Sequence, residues 1–302
     1  MNTAHLSRRQ FLGTSAAIAG AALFKPLDLF SAEKPKRTAV DQVALGKTGL
    51  KCSRMGFGSG TNGGGVQRAL GQEGFNRLIR YAYDQGITYI DCAQMYRTFD
   101  WVGAAIKGLP REKLFLQSKL SGNPEDVLAA IDKHRKVYDT DYIDSMLIHC
   151  LMKEGWTDEW KRVMDGLNEA KQKRWIRAKG VSCHSLPALR AATASDWTEI
   201  HLVRVNPQGA HIDTPSQAWN VKSDETHLSA VMKEIKTMHS KGRGVIGMKI
   251  IGEGNFKNPE DREKSIRFAM AQPEIQCVVI GFQSTDEIDE AIQRMNRALA
   301  EG

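Results

Sequence analysis

Four polar residues stand at or just after the ends of apolar, strand-like segments of this sequence. Asp91, Lys119 and His149 each close such a segment, and Tyr96 follows Asp91 by five residues. A tyrosine hydroxyl, with a pKa of about 10, is a poor acid at neutral pH. A neighbouring ammonium stabilises the phenolate and lowers that pKa, and a carboxylate can hold the ammonium by an ion pair. The set therefore predicts protonation of an oxygen as negative charge develops on it, as carbonyl reduction by hydride requires.

Each of these four residues also has a simpler interpretation. Asp91 could cap a loop, and Tyr96 could be an aromatic residue at the rim of the fold. Lys119 could extend to solvent, and His149 could be a hydrogen-bonded histidine of the core. Four such residues on three adjacent strand ends favour the catalytic interpretation.

The elements that must position these residues alternate regularly along the chain. Eight strand-like segments alternate with eight helical ones, which predicts parallel strands and an α/β fold, the (β/α)8 TIM barrel. A short N-terminal β-hairpin is expected before the barrel, around residues 46–49. The predicted strands are 55–58, 87–91, 114–119, 143–149, 178–182, 200–205, 245–250 and 277–281. The predicted helices are 73–85, 99–107, 124–137, 158–173, 185–194, 225–240, 259–271 and 285–300.

A doubly wound sheet is the alternative architecture. It would normally carry a G-x-G-x-x-G motif between its first strand and a helix. Residues 58–65 form a glycine-rich run that begins Gly58-Ser59-Gly60, but the run does not open a helix at once. The barrel is therefore the preferred fold, with residues 38–302 as one domain.

Charge and composition exclude several classes of protein. The 302 residues are 41% hydrophobic and 25% charged, as in an ordinary globular protein. The formal net charge is +7, but residues 1–37 hold six basic and two acidic side chains, so the remainder carries only +3. Since no basic stripe with interleaved aromatic residues occurs, nucleic acid is not an expected partner.

The N-terminal 37 residues are typical of a targeting segment with a short linker. Ser7-Arg8-Arg9-Gln10-Phe11-Leu12 has the twin-arginine pattern, and the apolar run that follows, 14–24, is too short to span a bilayer. This predicts a signal peptide, the twin-arginine export machinery as a partner, a periplasmic or otherwise exported protein, and no stable membrane span in the mature chain. An amphipathic helix that begins with two arginines is the alternative.

The five cysteines allow disulfides but do not reveal their pairing. They are Cys52, Cys92, Cys150, Cys183 and Cys277. No C-x-x-C occurs, which argues against a structural zinc site. No metal is therefore predicted.

The sequence resembles the aldo-keto reductases. The segment Leu45-Gly46-Lys47-Thr48-Gly49-Leu50-Lys51-Cys52-Ser53, with Gly56-Phe57-Gly58, is similar to the opening hairpin and first strand of that family. Ile90-Asp91-Cys92-Ala93-Gln94-Met95-Tyr96 resembles its Asp–Tyr segment. Ser118-Lys119, Leu147-Ile148-His149 and Gly180-Val181-Ser182 resemble its lysine, histidine and fifth strands.

The resemblance implies an enzyme that transfers hydride between NADPH and an aldehyde or ketone, or oxidises the matching alcohol. Tyr96 would be the general acid, Lys119 and Asp91 its tuning pair, and His149 the residue that orients the carbonyl. The nicotinamide would lie near Ser182, and the phosphates beside the loops after the seventh and eighth strands. The implied cofactor residues are Gly58, Ser59, Ser182, Cys183, Lys249, Ile251, Gly252, Gly281, Gln283 and Glu287.

Two departures from the family pattern bear on how the cofactor is held. Cys183 stands where the family usually has an asparagine that holds the carboxamide. Gly281 and Glu287 stand where classical members read the 2′-phosphate with Lys and Arg, and a glutamate would repel that phosphate but could accept a hydrogen bond from a ribose hydroxyl. The resemblance favours NADP, the residues at 281 and 287 argue against it, and NAD stays open.

The substrate end of the site is only outlined by the sequence. Met95, Arg97, Trp156, His184 and Trp219 are candidates for lining the mouth, and segment 209–226 is a candidate lid. Two other functions stay open: a nucleotide-binding sensor or partner subunit on the same barrel, and a metal-dependent barrel enzyme.

Overall fold

The computed structural model describes residues 37–219 and 221–301. The twin-arginine pattern and the apolar run after it lie outside the described residues. Within them, no helix combines the length and the apolar character needed to cross a membrane.

A small hairpin precedes the barrel, as predicted. Strand β1 (Gln42–Ala44) pairs antiparallel with β2 (Lys51–Ser53). Gly46 adopts a φ of +52°, and a Cβ there would lie 2.4 Å from the backbone carbon of Arg243. Since Arg243 precedes the strand that begins at Gly244, the hairpin packs on the N-terminal end of the barrel.

Eight parallel strands close into a barrel, which confirms the predicted fold and excludes an open doubly wound sheet. The last strand pairs with the first, Val279 opposite Gly56. Every predicted strand is present, with ends shifted by up to two residues. The strands are β3 (Met55–Gly58), β4 (Tyr89–Asp91), β5 (Phe115–Leu120), β6 (Ile143–Leu151), β7 (Ile176–Cys183), β8 (Ile200–Arg204), β9 (Gly244–Met248) and β10 (Cys277–Ile280).

Helices surround the barrel largely where the sequence predicts them. They are α1 (Gly65–Arg68), α2 (Gly71–Asp84), α3 (Phe99–Ile106), α4 (Val127–Val137), α5 (Trp156–Glu159), α6 (Lys161–Gln172), α7 (Leu186–Ala194), α8 (Leu228–Ser240), α9 (Pro259–Met270) and α10 (Thr285–Glu301).

Two helical details differ from the prediction. The single helix expected over 158–173 is two helices that meet at Trp160. The glycine-rich run does lead directly into a short helix, α1, because Gly63 and Gly64 adopt φ values of 65° and 84° that turn the chain.

Strand alternation explains how the polar residues come to face the barrel interior. Side chains two residues apart on a strand lie on the same face. Tyr89, Phe115 and Leu147 pack inside the barrel. Asp91 lies two residues beyond Tyr89, Lys119 four beyond Phe115, and His149 two beyond Leu147. All three therefore face inward at the C-terminal end, where barrel enzymes carry their sites.

Candidate active site

A buried ion pair forms the base of the site. The Lys119 Nζ atom lies 2.7 Å from both carboxylate oxygens of Asp91 and 2.8 Å from the Cys92 carbonyl oxygen. Both side chains are at most 5% exposed. The Tyr96 hydroxyl lies 3.4 Å from the same Nζ atom, and its ring meets that of His149 edge to face at 5.5 Å between centroids. The structure thus brings together all four residues predicted from the sequence.

Gln117 completes this group and was missed by the sequence analysis. Its Nε2 atom donates to Asp91 Oδ1 at 2.9 Å and to the Tyr89 hydroxyl at 2.7 Å, and its Oε1 atom accepts from Ser145 Oγ at 3.0 Å. Its position two residues before Lys119 on β5 was the available signal, because that spacing places it on the same inner face. Gln117 fixes the orientation of the Asp91 carboxylate.

Tyr96 keeps its proton in this environment. Burial raises the pKa of Tyr96 well above its usual value, and the Asp91 carboxylate adds to the rise. The lowered pKa expected from the neighbouring ammonium is therefore not the net effect in the free protein, because burial dominates. The phenol is consequently a protonated donor at neutral pH.

The position of the Tyr96 ring depends on Gly60. A Cβ atom on Gly60 would lie 2.2 Å from Cε2 and 2.3 Å from Cζ of that ring. These distances are far below van der Waals contact. The Tyr96 ring also packs against the His149 ring. The glycine therefore provides the space in which the phenol lies.

His149 is neutral in the structure. Burial lowers its pKa well below the usual value, and the positive charges of Lys119 and Lys249 lower it further. Its Nδ1 atom lies 3.4 Å from Ser121 Oγ. A neutral imidazole carries one N–H, so His149 can donate one hydrogen bond to an uncharged or partly negative oxygen.

Beside His149 lies an aromatic surface formed by His184 and Trp219. Their rings stack at 5.3 Å with an angle of 8° between the planes, and the His184 ring lies 6.4 Å from that of His149. The Trp219 side chain is largely exposed, as is Met95. Trp156 is instead fully buried, with its indole N–H donating to the Ala188 carbonyl at 3.2 Å. The expectation that Trp156 lines the mouth is wrong, because it packs between helices.

A cavity of about 350 Å³ extends from Asp91 and Tyr96 along the ends of β9 and β10 toward Arg262 and Arg294. Six of the ten cofactor residues implied by the resemblance border it: Gly58, Lys249, Ile251, Gly281, Gln283 and Glu287. The remaining four, Ser59, Ser182, Cys183 and Gly252, are not among the lining residues.

Of these four, Ser182 keeps a hydroxyl free to bind a ligand. It lies on the same face of β7 as Ala178, which packs inside the barrel, and its buried Oγ atom has no hydrogen-bond partner. Cys183 faces the opposite way and packs in the core between strands and helices, which excludes a cofactor contact through its thiol. The Ser59 hydroxyl donates to the Asp91 carbonyl at 2.9 Å. Gly252 is buried and starts the turn that carries Glu253 to the cavity.

The loop after β9 is held in an unusual backbone conformation at the cavity edge. Lys249 and Glu253 have φ values of 64° and 56°, which non-glycine residues rarely adopt. Asn206, buried beyond the end of β8, donates to the Lys249 carbonyl at 3.0 Å. Lys249 Nζ pairs with Glu253 at 2.8 Å, and Glu253 accepts the Asn62 backbone N–H at 3.2 Å. The ion pair thus links the loop after β9 to the loop after β3.

At the far end of the cavity, both arginines are already paired with a carboxylate. The Glu290 carboxylate accepts from Arg262 at 3.0 Å and from Arg294 at 2.7 Å. Arg262 also donates to the carbonyl of Phe256 at 3.1 Å. Glu287 accepts the Gln283 backbone N–H at 2.7 Å, as a helix-capping carboxylate does.

Nowhere in 37–219 or 221–301 do three or more His, Cys, Asp or Glu side chains meet in an arrangement that could hold a metal ion.

Comparison with known proteins relates this site to one family. Residues 54–265 match the sequence profile of the Aldo/keto reductase family. The chain is 33% identical over 130 residues to the 9,11-endoperoxide prostaglandin H2 reductase of Trypanosoma cruzi, a match covering 41% of this chain and 46% of that protein. It is 35% identical over 109 residues to the glyoxal reductase of Bacillus subtilis, covering 34% and 38% of the two chains. The matched region thus spans less than half the length of these curated relatives.

Solved structures extend the likeness of fold to nearly the whole barrel. The holo form of an aldo-keto reductase from Bacillus halodurans superposes with a TM-score of 0.67, covering 87% of this chain and 96% of that one. The sequence identity is 16%, so this match bears on the fold alone.

Proposed function

This chain belongs to the aldo/keto reductase family, and from that premise we propose that it reduces an aldehyde or ketone with a nicotinamide dinucleotide, or oxidises the matching alcohol. The observation that carries the proposal is the protonated Tyr96 hydroxyl, 3.4 Å from an ammonium that is itself fixed by Asp91. No other function weighed for this barrel needs that arrangement.

Residues of this chain would donate the proton that carbonyl reduction needs. A bound nicotinamide dinucleotide supplies the hydride. Tyr96 gives its proton to the carbonyl oxygen as charge develops there. The Lys119 ammonium then stabilises the phenolate that remains. The buried Asp91 carboxylate keeps that ammonium in place. In the oxidation direction, the same phenolate accepts the alcohol proton.

His149 would orient the substrate oxygen. As a neutral imidazole next to the Tyr96 ring, it can donate one hydrogen bond without bringing a competing charge. The stacked pair of His184 and Trp219 lies on the far side of His149 and offers a flat apolar surface. This surface favours a carbonyl substrate that carries an apolar or aromatic substituent.

The residues at the cavity fit a nicotinamide dinucleotide. The unpartnered Ser182 hydroxyl, buried and facing inward, would hold the carboxamide end. Gly58 and Gly281 leave the cavity floor free of side chains, and a Cβ on Gly281 would lie 2.0 Å from Thr61 Oγ1. Lys257 borders the cavity and has no ion pair among the described residues, so it can meet a phosphate.

The preference between the two dinucleotides would be weak. The family favours NADP, but Arg262 pairs with Glu290, Arg294 pairs with both Glu290 and Glu263, and Glu287 adds a negative charge near the end of the cavity. An added 2′-phosphate would therefore gain little net attraction. We expect dissociation constants for NADPH and NADH within about tenfold of each other.

The test is binding and turnover measured on the same preparation. Six tryptophans allow a fluorescence titration of the nucleotide-free full chain with NADPH and with NADH. A panel of aliphatic and aromatic aldehydes and ketones is then assayed for nucleotide oxidation. Tyr96→Phe should bind nucleotide as the wild type does and lose at least about 10²-fold in kcat.

Two outcomes would overturn the proposal. Wild-type protein that binds nucleotide tightly but turns over no carbonyl or alcohol would favour the sensor or partner-subunit alternative. Absence of binding to either nucleotide would restrict the family relationship to the fold.

Export by the twin-arginine route is a separate part of the proposal. It is supported by the pattern Ser7-Arg8-Arg9-Gln10-Phe11-Leu12 and the short apolar run that follows. Cell fractionation should find the mature protein outside the cytoplasm, and replacing Arg8 and Arg9 together by lysine should retain it inside. Equal distribution of both forms would contradict this part alone.

A further inference from the structure

Two of the five cysteines lie next to each other, although 225 residues separate them in the chain. The Sγ atoms of Cys52 and Cys277 are 3.6 Å apart, and both side chains are fully buried. No other pair of cysteine sulfurs comes within hydrogen-bond distance in the described residues. The Cys150 sulfur instead lies 3.6 Å from His184 Nε2.

The two cysteines are held on different elements at the N-terminal end of the barrel. Cys52 is in the hairpin strand β2, opposite Val43 of β1. Cys277 begins β10 and pairs with Ile246 of β9. Both side chains pack in the interior cluster with Leu45. The pair is therefore the point at which the hairpin meets the last strand of the barrel.

The separation is compatible with a covalent bond. A disulfide requires about 2.05 Å between the sulfurs, so these two must approach by roughly 1.5 Å. Forming the bond therefore requires rotation of the side chains or a small shift of the hairpin. None of the four residues Asp91, Tyr96, Lys119 and His149 takes part.

We propose that Cys52 and Cys277 form a disulfide bond when the protein is exposed to a disulfide oxidant. One cysteine thiolate attacks a sulfur of the oxidant, forms a mixed disulfide and releases the first thiol. The second cysteine thiolate attacks the protein sulfur of that mixed disulfide and releases the second thiol. The two cysteines lose two protons and two electrons, and the oxidant is reduced to two thiols. The inference does not depend on the proposed function.

Burial determines when the bond can form. Desolvation raises the pKa of Cys52 well above its usual value, and the neighbouring Cys277 raises it further. The docked hairpin thus keeps Cys52 in the thiol form and leaves both sulfurs inaccessible to an oxidant. Oxidation takes place during folding or when the hairpin undocks, and the bond then fastens the hairpin to β10. Because the closed loop is long, the bond restricts the unfolded chain strongly.

The experiment refolds the full chain in buffers of reduced and oxidised glutathione, then unfolds it and alkylates the free thiols. In the oxidising buffer, mass spectrometry should find three alkylated cysteines and a linked peptide pair containing Cys52 and Cys277. The midpoint of thermal unfolding should rise by on the order of 10 °C and return after reduction. Alkylation of all five cysteines in every buffer, or a bond between other cysteines, would overturn the proposal.

Variants separate this pair from general thiol oxidation. Cys277→Ala should abolish both the linked peptide and the oxidant-dependent rise. Cys183→Ala, a buried cysteine outside the pair, should retain both. If Cys277→Ala does not fold, the peptide map of the wild type still decides the pairing.

Discussion

Gln117 and Asp91 are joined by a hydrogen bond of 2.9 Å between Nε2 and Oδ1 inside the barrel. The same Oδ1 atom lies 2.7 Å from Lys119 Nζ. The amide of Gln117 thus fixes the orientation of the carboxylate relative to the ammonium, and the ammonium in turn faces the Tyr96 hydroxyl. A neutral side chain with no hydrogen bond to Tyr96 thus positions the charged part of the site.

Replacing Gln117 by alanine should therefore reduce catalysis more than binding. The Asp91 carboxylate would lose its amide donor, and Lys119 would follow the carboxylate away from Tyr96. We expect kcat to fall about 10- to 100-fold, as for other residues that orient a catalytic group, with nucleotide dissociation constants unchanged within about twofold. Ser145→Ala, which removes only the partner of Gln117 Oε1, is the matched control and should change kcat much less. Equal kcat for Gln117→Ala and wild type would contradict this role.

Gly60→Ala should displace the Tyr96 ring. The new Cβ would lie 2.2 Å from the ring, which must then move by about an ångström or more. Misplacement of this size costs on the order of 10²-fold in kcat. Gly65→Ala lies at the start of the neighbouring helix α1, where a Cβ meets nothing closer than 3.9 Å, and should leave kcat unchanged. Steady-state kinetics and thermal unfolding of both variants would show whether the loss is catalytic. Wild-type kcat in Gly60→Ala would mean that the phenol need not occupy this position.

Glu287→Gln should tighten binding of NADPH relative to NADH. The amide oxygen can still accept the Gln283 N–H, so the start of α10 is preserved while one negative charge is lost. A charge at contact distance in water is worth about 1 kcal/mol, which corresponds to a roughly fivefold lower dissociation constant for NADPH. Asp286→Asn, which removes a charge outside the cavity lining, is the control. An equal change for both dinucleotides would show that Glu287 is distant from the 2′-phosphate.

Acid should destabilise the protein through a buried histidine. Burial lowers the pKa of His201 from 6.5 to about 3, aided by the positive charges of Arg243 and Lys241, and neither ring nitrogen has a partner. Above pH 6.5 the ring is neutral in both folded and unfolded chains. As the pH falls from 6.5 to 3, only the unfolded chain takes up the proton, so stability is lost.

His201→Leu should remove this contribution. The free energy of unfolding of the wild type should fall by about 1.4 kcal/mol per pH unit for this group within that window. Urea titrations of the variant at several pH values should give a slope of unfolding free energy against pH that is smaller by the equivalent of about one proton. The variant should lose no stability at pH 7, because an unpaired polar ring is replaced by an apolar side chain. An unchanged slope would show that His201 does not cause the acid sensitivity.

The sequence by itself determined the order of elements and the three inward-facing residues Asp91, Lys119 and His149. The alternation of apolar runs with helical segments is a local signal, and a spacing of two residues along a strand settles which face a side chain takes. Tyr96 was added by its spacing after Asp91 and by the resemblance of its segment.

The tertiary structure alone decided which distant groups meet. The space for Tyr96 depends on Gly60, the orientation of Asp91 on Gln117, and the pairing of Cys52 on Cys277. Burial of Trp156 and the raised pKa of Tyr96 follow from packing around them as well. Local periodicity carries no information on these points, because distances and desolvation between segments far apart in the chain are set only when the eight strands close.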